Sequence, residues 1–295
     1  MKRLAGIFLI TFVVIAMTAI NGHAQIKLIS GLSGGTYFQM ATDISKHSSQ
    51  PVEVLTSNGS MDNFQQLMKD NDISIAFMQY DVLLANKILD NKLQEKVRVL
   101  FPLFLDEEIH LIARKGSKIK NIKNLAGKKV GIGTPEQGTH VTALTIKEKT
   151  GIDWDNVEIG SNEAFEALMN GEIDAYFYVG GMPISSLMDM ADTTKIQLVN
   201  IKHKSLKDIY RVKKIKKGTY KWQTKTVKTY AVPTLIVVKT QNMELYYEEA
   251  VNKLLADIKA NIPKMQEDGH PKWKEVYYRN QDIDWPYYYV RAKVE

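Results

Sequence analysis

The chain has 295 residues, 44% hydrophobic and 24% charged, with 39 Lys and Arg against 33 Asp and Glu for a net charge of +6. That is an ordinary globular composition, with length enough for two modest domains. Cysteine is absent, which excludes disulfides, thiol chemistry and a lipid-modified cysteine at a processed N-terminus.

Lys2 and Arg3 precede an apolar run over residues 4–20, followed by Gly22-His23-Ala24. The pattern predicts a secretory signal at 1–24 cleaved after Ala24. The run also nears the length of an uncleaved membrane anchor.

Residues 26–46 open apolar, turn through Gly31, Gly34 and Gly35, then run amphipathic through Phe38, Ala41 and Ile44. This predicts a short buried strand, a glycine turn and a helix. The helix start beside Gly35, Thr36 and Tyr37 offers unpaired N–H donors and a partial positive charge, a seat for a carboxylate or phosphate. Gly31-Leu32-Ser33-Gly34-Gly35 also matches G-x-S-x-G, the turn that exposes a hydrolase serine. That turn belongs late in a sheet, whereas Ser33 follows the first strand of the mature chain. The spacing is not that of a dinucleotide fingerprint.

Residues 52–55 read as a second strand, and a helix is expected from Ser60, whose hydroxyl is placed to cap it. Residues 73–78 read as a buried strand. About a hundred residues on, the pattern returns. Gly138-Thr139 stands 103 after Gly35-Thr36, and Gly160-Ser161, Phe165, Leu168-Met169, Ile173 and Phe177 echo Gly59-Ser60, Phe64, Leu67-Met68, Ile73 and Phe77. A near-constant offset over two strand–loop–helix units predicts two lobes of one α/β topology. Gly133 and Gly138 frame G-x-x-x-x-G, but the lysine of a phosphate loop is missing, which leaves a helix-start anion seat.

Between the repeats, residues 97–114 are apolar at both ends and interrupted by Pro102 and Asp106-Glu107-Glu108. This is expected to be a strand crossing between lobes, with the acids as a solvated turn. A second crossing is expected at 230–239, so that lobe 1 comprises 25–105 plus 234–295 and lobe 2 comprises 106–233. Residues 202–228 hold eleven Lys and Arg against Asp208, read as a solvated basic hairpin rather than a nucleic-acid surface. The tail from Gly269 carries Trp273, Tyr277, Tyr278, Trp285 and residues 287–289, and is expected to cap a lobe. The histidines show no metal-ligand spacing, and no nucleophile, base and acid assemble in sequence. No cofactor is implied.

Gly34-Gly35-Thr36-Tyr37 resembles a segment of TAXI-type solute receptors, the substrate-binding proteins of one class of TRAP transporters. The resemblance continues through residues 56–60, Asn63 and residues 77–81. It resumes at 125–130, Gly138-Thr139, 171–175, Gly181-Met182-Pro183 and 218–220. It implies a type II periplasmic-binding-protein-like fold, α/β, with two similar lobes and a ligand cleft between them. It further implies a monomeric, non-enzymatic periplasmic receptor that delivers a small organic anion, a glutamate-like amino acid or a dicarboxylate, to TRAP-type membrane permease subunits. By matching positions, Gly35, Thr36, Tyr37, Ser57, Ser60 and Gln79 would line lobe 1. Gly138, Thr139, Tyr178, Gly181 and Pro183 would line lobe 2. Gln137 stands where the family usually has serine. The expected pocket is largely uncharged, with hydroxyl and amide donors reading carboxylate oxygens. A secreted esterase-like hydrolase using Ser33, or a sensor docking through the basic hairpin or aromatic tail, are the other readings.

Overall fold

The computed structural model describes residues 25–189, 195–276 and 283–290; the expected leader lies outside them, as do Tyr277 and Tyr278. The first repeat runs β1 (Ile26–Ile29), α1 (Thr36–His47), β2 (Val52–Leu55), α2 (Ser60–Lys69), β3 (Ile75–Gln79), followed by α3 (Tyr80–Leu89) and α4 (Leu93–Lys96). β4 (Val97–Arg114) leads to the second repeat: β5 (Lys129–Gly131), α5 (Gly138–Thr150), β6 (Asp155–Val157), α6 (Ser161–Asn170), β7 (Ala175–Gly180). Then come α7 (Ser185–Asp189), β8 (Ile196–Leu198), β9 (Arg211–Ile215), β10 (Val227–Lys239) and α8 (Leu245–Asp268).

The strands form one sheet in the order β2-β1-β3-β10-β4-β7-β5-β6. Within each repeat the strands pair in parallel, which the intervening helical crossovers make possible. β4 and β10 run antiparallel to each other through the middle. Their lower halves complete the first repeat, where β10 pairs β3; β4 completes the second by pairing β7. These are the two crossings. The result is a mixed α/β fold of two lobes joined by the two crossing strands.

The helices form because their apolar residues recur at helical spacing. Tyr37, Met40, Ala41 and Ile44 are the buried face of α1, at i, i+3, i+4 and i+7. They pack with Ile26, Phe77, Phe101 and Ile236 of the sheet and with Val251, Leu254 and Ile258 of α8. A separate core in the second lobe joins Ile109, Val130, Ala143, Trp154, Phe177 and Val232. Trp273 closes the first core, and Trp285 packs under α3 with Val82 and Val97, so the aromatic tail caps a lobe where it is described.

Two expectations need correction. Ser60 is not a capping residue. Gly59 occupies the cap position at φ 141°, a backbone conformation that glycine supplies, and the Ser60 hydroxyl accepts from the Gln79 N–H at 2.8 Å. Asp106-Glu107-Glu108 is not a solvated turn. All three acids lie inside β4, in register with Ala231, Val232 and Pro233, and are 9%, 6% and 0% exposed.

Candidate functional site

A cleft of about 370 Å³ opens between the lobes. Four helices point their first turns into it: α1 with Thr36 and Tyr37, α2 with Ser60, α5 with Gly138 and Thr139, and α6 with Ser161 and Asn162. None of the four has a side-chain cap. Helix starts of this kind carry a partial positive charge on their first-turn N–H groups, although Asp62 N–H of α2 and His140 N–H of α5 are already bonded to Glu136 O and Gln137 O. Among the described lining residues there is no lysine or arginine, and Glu107 is the one carboxylate.

Of the residues expected to bind ligand, Gly35, Thr36, Tyr37, Ser60, Gln79, Gly138, Thr139, Tyr178, Gly181 and Pro183 all border the cleft. Ser57 does not. Its hydroxyl donates to Asn63 Oδ1 at 2.5 Å, and the Asn63 amide in turn ties Ser30 O to Phe77 O, at 2.5 and 2.8 Å. Ser57 therefore helps hold the ends of β1 and β3 together beneath the cleft. Thr139 faces the cleft while its Oγ1 accepts from Val179 N–H at 3.1 Å.

Tyr37 and Gln79 turn to Glu107, an acid expected in a solvated turn. Glu107 Oε2 accepts from Tyr37 O–H at 2.8 Å and from Gln79 Nε2 at 2.7 Å. Burial pushes the Glu107 carboxyl up to about 7, and these two hydrogen bonds pull against it. The pocket expected to be largely uncharged thus contains one titratable acid, Glu107. The available signal was strand alternation. Three acids in an apolar strand send the middle one to the face opposite its neighbours. On that other face, Asp106 pairs with Arg211 at 3.3 Å and Lys213 at 2.5 Å, and Glu108 lies 3.6 Å from Lys272.

The lobes touch along one rim of the cleft. Asp62 N–H donates to Glu136 O at 3.0 Å, and a Cβ on Gly138 would fall 1.8 Å from Gln79 Oε1. Glycine is what lets the α5 start rest on Gln79. Deeper between the lobes, Asp81 at the α3 start accepts from Thr142 Oγ1 at 2.6 Å and Tyr210 O–H at 2.9 Å. All three are buried, and burial raises the Asp81 carboxyl to about 6.

The loop after β7, with a cis peptide at Met182-Pro183, forms part of the opposite wall. Glu108 Oε2 accepts from Met182 N–H at 2.9 Å. Ile184 N–H donates to the Tyr220 hydroxyl at 3.2 Å, whose own proton goes to His110 Nε2 at 2.8 Å. His110 Nδ1 donates to Glu108 O at 2.8 Å, and burial lowers His110 to about 4, so the ring is neutral. Ser33 sits on the glycine turn at the cleft. Among the described residues no histidine or carboxylate hydrogen-bonds to it. Among the described residues no group of acids and histidines could hold a metal ion, and no helix is long and apolar enough to cross a membrane.

Residues 28–280 match the model of the NMT1-like family. Among solved structures, protein AF1704 from Archaeoglobus fulgidus is similar at a TM-score of 0.54 and 12% identity, over 86% of this chain and 81% of that one. An ancestral arginine-binding protein bound to arginine aligns at 0.52 and 14%, over 86% and 96%. An arginine transport-system periplasmic binding protein from Legionella pneumophila aligns at 0.50 and 12%, over 86% and 99%. These likenesses are of fold.

Proposed function

The chain belongs to the NMT1-like family, and from that premise we propose that it is a periplasmic solute receptor that closes two lobes on a small carboxylate-bearing metabolite. The observation that carries the reading is the convergence of four uncapped helix starts on one cleft between the lobes. Each helix end contributes about 0.3–1 kcal/mol to a nearby negative charge, more where partly buried. Micromolar affinity takes about 8 kcal/mol, so hydroxyl and amide hydrogen bonds and burial in the cleft supply most of the rest.

In this reading Thr36 and Thr139 donate to the ligand, Ser60 lines the α2 start beside them, and Gly35 and Gly138 let the ligand approach the helix ends. Tyr178, Gly181 and Pro183 form the wall. The lobes divide near residues 105 and 233, and the paired crossing strands are the hinge. The leader sends the protein to the periplasm and is cut after Ala24. The resemblance to TAXI-type receptors makes the partner a TRAP-type permease and the ligand a glutamate-like amino acid or a dicarboxylate. The protein acts as a binding protein without turnover.

The test is mass spectrometry of small molecules that co-purify with the protein made in its host, followed by calorimetry with Thr36→Val and Thr139→Val. Both substitutions together weaken binding tenfold or more while the fold persists. Thr36→Val is the cleaner arm, since Thr139→Val also unpairs Val179 N–H. Unchanged affinity rejects this pocket.

A further inference from the structure

β4 carries three consecutive buried acids, and their surroundings differ in one respect. Asp106 has Arg211 and Lys213, and Glu108 has Lys272. Glu107, between them, has only neutral donors, the Tyr37 hydroxyl and the Gln79 amide, both on the same oxygen. Among the described residues it forms no ion pair. A carboxylate that is 6% exposed is costly to keep ionised without a cation. Yet this one borders a cleft that also gathers helix starts suited to a carboxylate. The one cation that acts on Glu107 is engaged elsewhere. Lys272 acts on Glu107 only through space, because its ammonium sits on Glu275 at 2.9 Å and beside Glu108.

We infer that Glu107 is the specificity residue of the cleft and takes a protonated nitrogen of the ligand, so that the cleft selects an acid that also carries an amine over an acid that does not. This rests on the receptor reading and narrows it: of the two ligand classes the resemblance implies, amine-free dicarboxylates are disfavoured. A second carboxylate placed at the floor would meet Glu107 head on, whereas an ammonium supplies the counter-charge that the fold withholds. The charged and titratable groups acting on Glu107 are Tyr37, Asp81 and Lys272. The ligand's cation adds to Lys272 and outweighs Asp81, so binding expels the proton that the empty site holds near neutral pH.

The experiment uses the mature chain. A thermal-shift panel sets the common L-amino acids against succinate, glutarate and malate. The best ligand is then titrated by calorimetry beside its deaminated analogue, in phosphate and in Tris at pH 7, against wild type and Glu107→Gln. The expected result has three parts. An amine-bearing acid binds at least tenfold more tightly than its analogue. Wild type releases a proton on binding it. Glu107→Gln loses both the preference and the proton release. The inference is overturned if the analogue binds equally well, or if Glu107→Gln keeps its preference for the amine. Should the variant fail to fold, wild type alone decides, since amine binding without proton release overturns it. These failures leave a receptor that binds acids. If neither class binds and nothing co-purifies, the receptor reading falls, and this inference with it.

Discussion

Replacing Glu107 by glutamine should make the empty protein more stable at neutral pH. Glutamine keeps the shape and an acceptor oxygen for Tyr37, and it removes the ionisable proton. In the fold the Glu107 carboxyl rises from 4.5 to about 7, chiefly through burial. At 1.36 kcal/mol per pH unit, that rise amounts to about 3 kcal/mol. The folded state holds the proton more tightly than the unfolded chain does. The stability linked to that proton is therefore fully present below about pH 4.5 and is lost as the pH rises through about 7. Wild type loses it and the variant does not. Urea unfolding of both ligand-free proteins gives a free-energy difference in which the other titrating groups cancel. That difference should be level at low pH, shift in favour of the variant between about pH 4.5 and 7, and level off about 3 kcal/mol higher. A difference that stays constant across the whole range refutes the claim that Glu107 is a buried carboxylate without a cation.

A methyl group at Gly138 would meet Gln79 Oε1 at 1.8 Å and Cδ at 2.4 Å. In Gly138→Ala, Gln79 must therefore swing off Glu107. Losing a hydrogen bond to a charged group costs about 1.5–3 kcal/mol, offset in folding by a helix preference of about 1 kcal/mol. Calorimetry should show ligand affinity falling about tenfold, while the net cost of about 0.5–2 kcal/mol lowers the melting temperature by only a few degrees. Asp81→Asn keeps an acceptor between Thr142 and Tyr210 and removes a carboxyl raised from 3.8 to about 6; above pH 6 it should be more stable than wild type by about 2–3 kcal/mol, and Asp81→Ala less stable, as read by urea melts. His110, lowered by burial to about 4, should show a neutral imidazole by NMR at pH 5.5. Stability tied to that neutral ring is present above 6.5 and is lost as pH falls toward 4. Tyr220→Phe should destabilise by about 1–3 kcal/mol, since it strips His110 Nε2 and Ile184 N–H of their partner at once.

The two-lobed fold was legible because it is written in local pattern. Gly35-Thr36 and Gly138-Thr139 open α1 and α5, while Gly59-Ser60 and Gly160-Ser161 open α2 and α6. Each pair is a glycine turn followed by residues at helical spacing, and the spacing between pairs repeats. The crossing strands were legible as long apolar runs. The floor of the cleft was not. What makes Asp106 and Glu108 buried residues rather than turn residues is Arg211, Lys213 and Lys272, all more than a hundred positions away in sequence. Without the fold, three acids in a row read as an interruption. Ser57 shows the converse: a hydroxyl in a matching segment reads as a ligand donor until Asn63 is seen to claim it.

The placement of Glu107 on a crossing strand has a physical consequence for closure. Tyr37 and Gln79, which hold it, belong to the first repeat, while Gly138, which rests on Gln79, begins a helix of the second. Any hinge motion that separates the lobes lifts α5 off Gln79 and lets water reach the carboxylate. In the open state Glu107 is hydrated and ionises easily; in the closed empty state it must keep a proton or bear a buried charge. On the inference above, a ligand cation would remove that penalty only when the lobes are shut on it. Part of the differential affinity that ligand-driven closure requires would then sit at Glu107. The stability given up at Glu107 in the empty protein becomes, on binding, part of the free energy that favours the closed form.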